Sequence, residues 1–342
     1  MSAASWSIRE ARASFTGTPL GSLPLLARRQ YYNCLVIIEE LKALDGPVLV
    51  TGHTGFKGAW LSLLLNRLEI DFFGFALEAQ PDSLFNRLKN PDLIPGTIGD
   101  IRDREALTQT FSQKQPSIVV HMAAQPLVLK SYREPSETFQ TNVMGTVNVL
   151  EAAFKTSSVK VVLVITTDKV YRNDNAGRRF VESDPLFGKD PYSASKVGAE
   201  AACVAWRNLS ESFGGPKVIV ARAGNVIGGG DFAEDRIIPD LVRGIGGNKE
   251  VVVRNPNSTR PWQHVLDPLI GYLLYIEHTL SGIVNVPALN FGPSEPSLAV
   301  KEILAIGKEI FEDKLNISLN PDRKEREAVT LELDATLAHQ TL

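Results

Sequence analysis

A tyrosine and a lysine stand four residues apart in a stretch with a helical pattern. Tyr192 and Lys196, in the segment YSASK, fall on one face of a predicted helix over 192–213. A phenol has an ordinary pKa of about 10 and needs help to act as a base near neutral pH. An ammonium group one turn away favours the phenolate. The pair therefore predicts a base that accepts a proton from a substrate hydroxyl, although this spacing taken alone is common by chance.

A second group of reactive side chains follows the most apolar run of the chain. The segment 159–166 is typical of a buried strand, and Thr167, Asp168 and Lys169 come directly after it. In open α/β sheets, ligands bind beyond the carboxyl ends of the strands. We therefore expect these three residues to enter a cleft near Tyr192. An exposed ion pair in a loop is the alternative interpretation of Asp168 and Lys169.

Three glycines spaced three apart join a predicted strand to a predicted helix in the segment TGHTGFKGAW. The first glycine allows a tight turn, the second lets a phosphate approach the backbone, and the third lets the helix pack close to the strand. The N-terminus of the helix then presents free N–H groups to the phosphate. This context favours a dinucleotide-binding turn over a purely structural one. The residues expected to contact the dinucleotide here are Gly52, Thr54, Gly55, Phe56, Lys57 and Gly58.

Two acidic residues are candidates for the adenosine end of the dinucleotide. Glu78 lies about 20 residues past the turn, where an acid can bond the ribose. A plain surface acid is the alternative for this position. No arginine follows immediately, which favours NAD over NADP. Asp100 and Ile101 follow the predicted third strand, and Asp100 either contacts the adenine amino group or caps the next helix.

Short β-branched runs alternate with helix-like stretches from residue 46 onward. The alternation, with nearly continuous apolar strands, predicts an α/β fold with a Rossmann-type doubly wound parallel sheet. We divide the chain into a dinucleotide-binding domain over 46–224 and a smaller, interleaved substrate-binding lobe over 225–342. The predicted strands are 47–51, 70–76, 117–121, 159–166 and 217–222, and the predicted helices are 57–68, 104–112, 135–153 and 192–213.

The composition excludes several functional classes. The chain has 342 residues, of which 44% are hydrophobic and 22% charged, close to the average for soluble globular proteins. A formal net charge of -3 argues against a nucleic-acid binder, which needs a basic face. No apolar run approaches the ~18 residues of a membrane span. Cys34 and Cys203 alone make neither a disulfide framework nor a metal site, so we expect no metal and a reducing, cytoplasmic setting.

Residues 1–45 differ from the rest of the chain. They are rich in serine and arginine and contain few acids. The apolar segment 20–27 precedes Arg28 and Arg29, which is the wrong order of charge for a signal peptide. We expect a poorly ordered leader or a start codon placed too early, with an organelle transit peptide as the alternative.

Several segments, taken together, resemble the extended short-chain dehydrogenase/reductase family. They extend from about 46 to 293 and are specific as a set. The segments are TGHTGFKGAW (51–60), HMAAQPL (121–127), NVMG (142–145), TDKVY (167–171), YSASK (192–196), RAGNVIGGGD (222–231), RIIP (236–239), RPWQHV (260–265) and NFGP (290–293). The resemblance implies bound NAD, a homodimer or tetramer, and further cofactor contacts at Ala123, Ala124 and Gln125. Family members usually continue past 331–335, so the resemblance also implies a shortened second lobe.

Within the family, the resemblance is to nucleotide-sugar 4,6-dehydratases, and Lys169 in Thr-Asp-Lys marks the type that acts on CDP-glucose. It implies that Tyr192 takes the proton of the sugar C4 hydroxyl while Thr167 bonds the same oxygen. Lys196 would hold the nicotinamide ribose. Lys169 would remove the C5 proton, and Asp168 would protonate the departing C6 hydroxyl. A tight Asp168–Lys169 ion pair would defeat both roles, so we predict that substrate separates the two groups.

Three polar residues of the second lobe are candidates for holding a sugar nucleotide. A diphosphate favours arginines as partners. The resemblance assigns Arg236 and Arg260 to the nucleotide and phosphates, and Asn225 to a hydrogen bond with the diphosphate or sugar. A structural pair is the alternative for either arginine, and His121 and His264 are predicted to be structural. Another nucleotide sugar, an epimerase, or a non-catalytic NAD-binding module remain alternative functions.

Overall fold

The computed structural model describes residues 38–88, 90–234, 236–247, 250–253, 255–311, 316–319 and 330–342. The predicted leader over 1–45 lies outside the described residues except at 38–45. In chain order the strands are β1 (Val48–Thr51), β2 (Phe72–Ala76), β3 (Gly96–Ile98), β4 (Ile118–His121), β5 (Val161–Ile165), β6 (Lys217–Ala223), β7 (Val226–Ile227), β8 (Val251–Val253), β9 (Thr259–Arg260), β10 (Gln263–His264), β11 (Ala288–Phe291), β12 (Leu298–Ala299) and β13 (Ile317–Leu319).

Seven of these strands form a parallel sheet in the order β11-β6-β5-β4-β1-β2-β3. Strand order reverses beside β1, because β2 pairs with one of its edges and β4 with the other. This is the order of a doubly wound dinucleotide-binding sheet, and ligands bind where the order reverses. The prediction of a Rossmann-type α/β fold is confirmed. All residues of β1, β4 and β5 are buried, as expected for strands covered on both faces.

The helices follow the predicted pattern, with boundaries that differ by one or two residues. In chain order they are α1 (Glu39–Lys42), α2 (Phe56–Arg67), α3 (Leu84–Arg87), α4 (Arg104–Lys114), α5 (Val128–Arg133), α6 (Pro135–Phe139), α7 (Gly145–Phe154), α8 (Pro191–Phe213), α9 (Ile237–Gly247), α10 (Leu266–Leu280), α11 (Val300–Phe311) and α12 (Thr336–Thr341). Among the described residues, none of these helices combines the length and apolar composition that crossing a membrane requires.

Helix α8 begins one residue before Tyr192 because the local sequence fixes its start. Asp190 and Ser193 form a capping box, in which each side chain bonds the backbone N–H of the other, and Pro191 occupies the first helical turn. Tyr192 and Lys196 lie on the buried side of the helix. The cap therefore places the tyrosine in the first turn, at the end that meets the sheet edge.

The predicted helix over 135–153 is not continuous. The segment Gln140–Met144 forms a π-helical turn between α6 and α7. Inside it, buried Asn142 accepts a hydrogen bond from the Gln125 N–H and donates to the Gln125 carbonyl and to Ser195 Oγ. A wide turn of this kind lets one side chain reach two other elements, and such turns are frequent at functional sites.

The chain after residue 225 contributes to two places. Strand β11 is an edge strand of the main sheet, paired with β6. A separate small core lies between α9, the β8–β13 pair and α11, and its buried members are Leu241, Val251, Val253 and Leu304. The carboxyl edge of the main sheet thus faces a second layer, and the cleft between them holds the site described next.

Candidate active site

The glycine-rich turn connects β1 to α2 with almost no spare room. Gly52 has φ +80, and a Cβ there would lie 2.8 Å from the Ala123 nitrogen. A Cβ on Gly58 would lie 2.0 Å from the Gly52 carbonyl oxygen, whereas one on Gly55 would lie 3.3 Å from that atom. Thr54 Oγ1 donates to the Leu77 carbonyl and fixes the turn to the end of β2. Gly52 and Gly58 are therefore required by backbone geometry.

The N-terminus of α2 is open to an anion. Its N-cap is Gly55, its first residue is Phe56, and no described side chain caps it. The first turn carries no acidic residue. The N–H groups of the first turn and the helix dipole can therefore act on a phosphate. This cradle, which a side chain at Gly52 or Gly58 would disrupt, fits the pyrophosphate of a dinucleotide.

A cleft of about 300 Å³ opens at the carboxyl edge of the sheet. It brings together residues predicted from distant parts of the sequence. The predicted site residues that line it are Lys57, Ala124, Thr167, Asp168, Lys169, Tyr192, Lys196, Asn225, Arg236 and Arg260. The other predicted cofactor residues lie in the glycine-rich turn and directly after β3 and β4.

Thr167, Asp168 and Lys169 form a tight turn after β5. A 3₁₀ helix begins at Asp168, and the Thr167 side chain caps it by accepting from the Lys169 N–H. Thr167 Oγ1 donates to Asp168 Oδ1 at 2.9 Å, and Lys169 Nζ lies 3.3 Å from the same oxygen. Asp168 is buried, and its Oδ2 has no hydrogen-bond partner among the described residues. The ion pair is thus formed but lies in the cleft with Asp168 buried, so the alternative of an exposed pair is wrong, and one carboxylate oxygen is left for another partner.

Tyr192 and Lys196 enter the same cleft from α8. Burial raises the pKa of Tyr192 to about 12, and a hydrogen bond with Thr167 opposes this shift. Lys196 Nζ donates to the Ile165 carbonyl at 3.1 Å, and burial lowers the pKa of this lysine to about 8. The phenol is therefore the resting form of Tyr192. Additional positive charge beside the ring is needed before it acts as a base.

Lys57 is a further cation of the cleft. Its Nζ donates to the Tyr272 hydroxyl at 2.9 Å, which links α2 to α10. Burial lowers the pKa of Lys57 to about 7, and the charges of Arg236 and Lys196 act in the same direction. The sequence predicted a contact between Lys57 and the dinucleotide. It did not predict that Lys57 shares a cleft with the Asp168 turn.

The three predicted cofactor residues after β4 make different contacts. Ala123 donates its N–H to Thr51 Oγ1 and lies against Gly52, whereas Ala124 lines the cleft. Gln125 uses its side chain to fold its own loop, since its amide donates to the Leu127 carbonyl and accepts from the Leu127 N–H. Gln125 therefore stabilises this loop, whereas Ala124 lines the cleft.

The two predicted adenosine contacts differ in their surroundings. Asp100 binds the Arg102 guanidinium through both carboxylate oxygens, and this pairing lowers its pKa. The alternative that Asp100 caps α4 is wrong, because Asp103 accepts the N–H groups of the first turn. Ile101 is buried against Gly145, and its carbonyl accepts a hydrogen bond from Asn148 Nδ2. Glu78 is exposed after β2.

The second layer supplies the three predicted substrate residues. Arg236 lines the cleft and pairs with Asp231 at 3.1 Å. Arg260 is buried and donates to the Thr259 carbonyl. Asn225 lines the cleft just after β6. All three residues therefore line the same cleft as Tyr192.

The two histidines considered from the sequence have structural contacts. His121 is buried between Thr51, at 2.7 Å, and Thr146, at 3.0 Å, and burial lowers its pKa to about 3. His264 accepts a hydrogen bond from the Leu266 N–H. Neither is needed for the chemistry of the cleft.

A model of the NAD dependent epimerase/dehydratase family matches residues 48–286. The chain belongs to this family. The match covers six of the seven strands of the main sheet, all but β11, and both reactive groups of the cleft. It confirms the resemblance to the extended short-chain dehydrogenase/reductases and the prediction of an NAD cofactor. Within the described residues, no group of three or more His, Cys, Asp or Glu side chains could hold a metal ion.

Known members of the epimerase/dehydratase family resemble this chain to different degrees. It is 44% identical over 306 residues to the CDP-glucose 4,6-dehydratase of Salmonella typhimurium, covering 86% of this chain and 84% of that relative. Epimerase Mth375 of Methanothermobacter thermautotrophicus superposes with a TM-score of 0.77 at 24% identity, over 90% of this chain and 89% of that one. DesIV, a dTDP-glucose 4,6-dehydratase of Streptomyces venezuelae, gives 0.74 at 24%, over 86% and 90%. These two structures support the fold.

Two residues of this epimerase/dehydratase were missed as candidates from its sequence. Glu200 and Arg222 are both buried and form an ion pair directly under the reactive turn. The sequence contained only weak indications of this ion pair. Glu200 stands four residues after Lys196, so an acid continues the buried face of α8. Arg222 begins the family segment RAGNVIGGGD, but its place at the end of a strand says nothing about what its long side chain reaches.

Proposed function

We propose that this chain is a lyase that removes water from CDP-glucose and gives CDP-4-keto-6-deoxyglucose. The observation that carries the proposal is one cleft containing both a Tyr192–Lys196 pair and an Asp168–Lys169 pair. The first pair suits oxidation at a hydroxyl, and the second suits removal of a proton and a hydroxyl from neighbouring carbons. The 44% identity to a CDP-glucose 4,6-dehydratase over most of both chains supports the same substrate.

Tyr192 acts on the C4 hydroxyl. When bound, NAD supplies the electron acceptor and donor that this internal redox cycle needs, and its positive ring favours the phenolate. Tyr192 accepts the hydroxyl proton, while Thr167, which lines the same cleft, can hold the same oxygen. Lys196, whose Nζ donates to the Ile165 carbonyl, places a positive charge one helical turn from Tyr192. The 4-ketone that results makes the C5 proton acidic.

Asp168 and Lys169 carry out the elimination. Lys169 must be neutral to remove the C5 proton, and Asp168 must be protonated to release the C6 hydroxyl as water. Their ion pair already contains the required proton, since Nζ and Oδ1 lie 3.3 Å apart. Moving that proton from lysine to aspartate turns the pair into a neutral base and a neutral acid, which a closed, water-poor cleft favours. The predicted separation by substrate stays a prediction.

The second layer holds the nucleotide diphosphate. Arg236 is paired with Asp231, at 36% exposure of the arginine side chain, and a diphosphate can take over its free N–H groups. Arg260 and Asn225 lie in the same part of the cleft. We assign the substrate-binding lobe to 225–342 and the NAD-binding domain to 46–224.

The proposal includes a homodimer in the cytoplasm. Large apolar side chains remain exposed on the π-helical segment, on the neighbouring α6 and on α8, namely Phe139, Met144, Val204, Leu209 and Phe213. Surfaces of this kind are common where proteins associate. The free thiol of Cys203 is buried, as suits a reducing compartment. Light scattering after size exclusion would measure the oligomeric state.

The decisive experiment is an incubation of the purified chain with CDP-glucose and NAD, following formation of the 4-keto sugar. UDP-, dTDP- and GDP-sugars are assayed alongside, and Tyr192→Phe serves as the matched inactive control. Product from CDP-glucose alone supports the reaction and the substrate together. Product from another donor overturns the substrate but keeps the reaction. If no donor gives product while NAD is bound, the chain is a non-catalytic module and the proposal is wrong.

A further inference from the structure

A buried polar network lies directly beneath the reactive turn, and none of its members takes part in the proposed chemistry. Arg222 on β6 donates to both carboxylate oxygens of Glu200 on α8, at 2.8 and 2.5 Å. Glu200 also accepts from Thr166 Oγ1 at 2.8 Å. A third nitrogen of Arg222 donates to the Tyr171 hydroxyl at 3.0 Å, and that hydroxyl donates to Asn290 Oδ1 at 2.6 Å. All five residues are buried.

The network holds the reactive turn at both of its ends. Thr166 immediately precedes the turn of residues 167–169, and Tyr171 is its C-cap. Arg222 reaches the first end through Glu200 and the second end directly. A planar guanidinium fork can hold two such partners in fixed directions, which a lysine cannot.

The same network holds the helix that carries the other reactive pair. Glu200 lies one turn beyond Lys196 and two turns beyond Tyr192, on the buried face of α8. Helix α8 and the segment around the turn also touch through Lys196, whose Nζ donates to the Ile165 carbonyl, and through Val197, which packs against the cluster that contains Val170 and Tyr171. Glu200 and Arg222 connect the helix and the turn through side chains that take no part in the proposed proton transfers.

Fold stability alone does not account for this ion pair. Apolar residues of similar volume often replace a buried ion pair without loss of stability, because desolvation offsets the attraction of the charges. A charged pair instead restricts the arrangement of its neighbours, since each lost hydrogen bond would leave a buried charge without a partner. Such a restriction matters where two elements must keep one register.

We propose that Glu200 and Arg222 are positioning residues that hold the turn of residues 167–169 and helix α8 in one register. Oxidation at C4 and elimination across C5 and C6 then act on the same bound sugar without its moving. The inference rests on the proposed dehydratase reaction. It assigns the pair no contact with the reacting atoms.

The test replaces the pair by apolar residues in the double variant Glu200→Leu/Arg222→Met, which leaves no buried charge unpaired. We expect a folded protein, a KM for CDP-glucose within about threefold of wild type, and a kcat lowered about 10²-fold, the effect of a displacement near 1 Å. In a single turnover with enzyme in excess, quenched by acid, the ratio of CDP-4-ketoglucose to the 6-deoxy product should rise at least about tenfold. A general loss of stability would slow both phases together and leave that ratio unchanged.

A second variant and a matched control keep the test decisive. Tyr171→Phe removes only the hydroxyl that Arg222 and Asn290 share, and it should raise the same ratio a few-fold. Glu277→Gln changes another buried carboxylate, which accepts backbone N–H groups of Glu40 and Leu41 far from the turn, and it should leave the ratio unchanged. A folded double variant with the wild-type ratio and kcat would overturn the proposal, as would equal effects of Glu277→Gln. If the double variant does not fold, the comparison of Tyr171→Phe with Glu277→Gln decides.

A crystal structure of the double variant gives a readout without activity. The turn should be displaced from α8 by about 1 Å relative to wild type, and an unchanged register would contradict the proposal. This measurement separates two failures. If wild-type protein gives no product from CDP-glucose, the proposed function fails, and the displacement still tests the positioning role. If wild type is active and the variant keeps both register and ratio, only the positioning role fails.

Discussion

Two turns at the same edge of the sheet are built in different ways. The glycine-rich turn after β1 is fixed by its own backbone, through the positive φ of Gly52 and the contact of Gly58 with the Gly52 carbonyl. The reactive turn after β5 is fixed by side chains from other elements, through Glu200 and Arg222. The first turn depends chiefly on its own glycines, with one side-chain bond from Thr54 to the Leu77 carbonyl. The second needs the assembled sheet, which explains why its supporting residues are the harder ones to predict.

The difference matches what each turn has to do. A dinucleotide pyrophosphate is held by backbone N–H groups, which do not titrate and do not move between steps. The reactive turn carries an ion pair whose proton, in the proposed mechanism, is redistributed during turnover. A fixed backbone suits phosphate binding. A turn held by side chains of other elements suits proton transfer, because the polar atoms of the turn remain available for chemistry.

The largest effect on turnover is expected from a substitution among the reactive side chains of α8 and the turn of residues 167–169. Tyr192→Phe removes the group that we propose accepts the C4 hydroxyl proton, so kcat for product formation should fall about 10³- to 10⁴-fold. Binding of NAD should change little, because the glycine-rich turn is untouched. Steady-state kinetics and NAD titration measure the two quantities. A variant with near wild-type kcat would remove Tyr192 from the mechanism.

The next largest effect distinguishes the proposed roles of Asp168 and Lys169. Asp168→Asn keeps the size of the side chain but removes the group that we propose protonates the C6 hydroxyl. Water elimination should fall about 10²- to 10³-fold, while Lys169 still exchanges the C5 proton with solvent. Deuterium incorporation at C5, followed by NMR in heavy water, measures the retained step. Full dehydration activity would show that Asp168 is not the acid.

In the glycine-rich turn, a substitution should act by disturbing the backbone geometry and not by removing a group for proton transfer. Gly58→Ala places a methyl group about 2.0 Å from the Gly52 carbonyl oxygen, so the helix or the turn must move. We expect a loss of about 3 kcal/mol in the free energy of unfolding, measured with urea, and weaker NAD binding. Gly55→Ala is the matched control within the turn, because its methyl group would lie 3.3 Å from the same oxygen. Equal losses from both substitutions would contradict this account.

The last effect concerns the stability in acid of the elements around the glycine-rich turn. Burial lowers the pKa of His53 to about 4 and of His121 to about 3, whereas both return to about 6.5 on unfolding. The unfolded chain therefore binds protons that the folded chain excludes. Their contribution is fully present above pH 6.5 and is lost as the pH falls toward these folded values, by about 1.4 kcal/mol per pH unit for each histidine.

Urea unfolding at pH 7 and pH 5 checks this prediction for wild type and for His121→Gln. The variant should lose stability at both pH values, since Thr51 and Thr146 lose a bridging ring, but its slope with pH should be smaller. Hydrogen exchange should locate the acid-sensitive opening at β1 and β4 and leave β5 and β6 protected. An identical slope in both proteins would exclude His121 as a source of the pH dependence.

The reactive pairs and the strand–helix alternation were predictable because they depend on short-range patterns. Tyr192 and Lys196 share a helix face at a fixed spacing, and the turn of residues 167–169 follows a buried strand. The interruption at Gln140–Met144 was not predictable. It depends on Asn142 reaching both Gln125 and Ser195, which become its neighbours only when three elements meet.

The sequence by itself determined the order of the elements, the glycine-rich turn and the candidates for proton transfer, since these follow from backbone φ, apolar periodicity and side-chain chemistry. Only the tertiary structure decided which charges share the cleft. Lys57 meets Tyr272 across 215 residues of chain, and Glu200 meets Thr166 across 34. Contacts between residues so far apart in sequence form only after the sheet has assembled, because burial and the exclusion of water decide which polar groups must find each other.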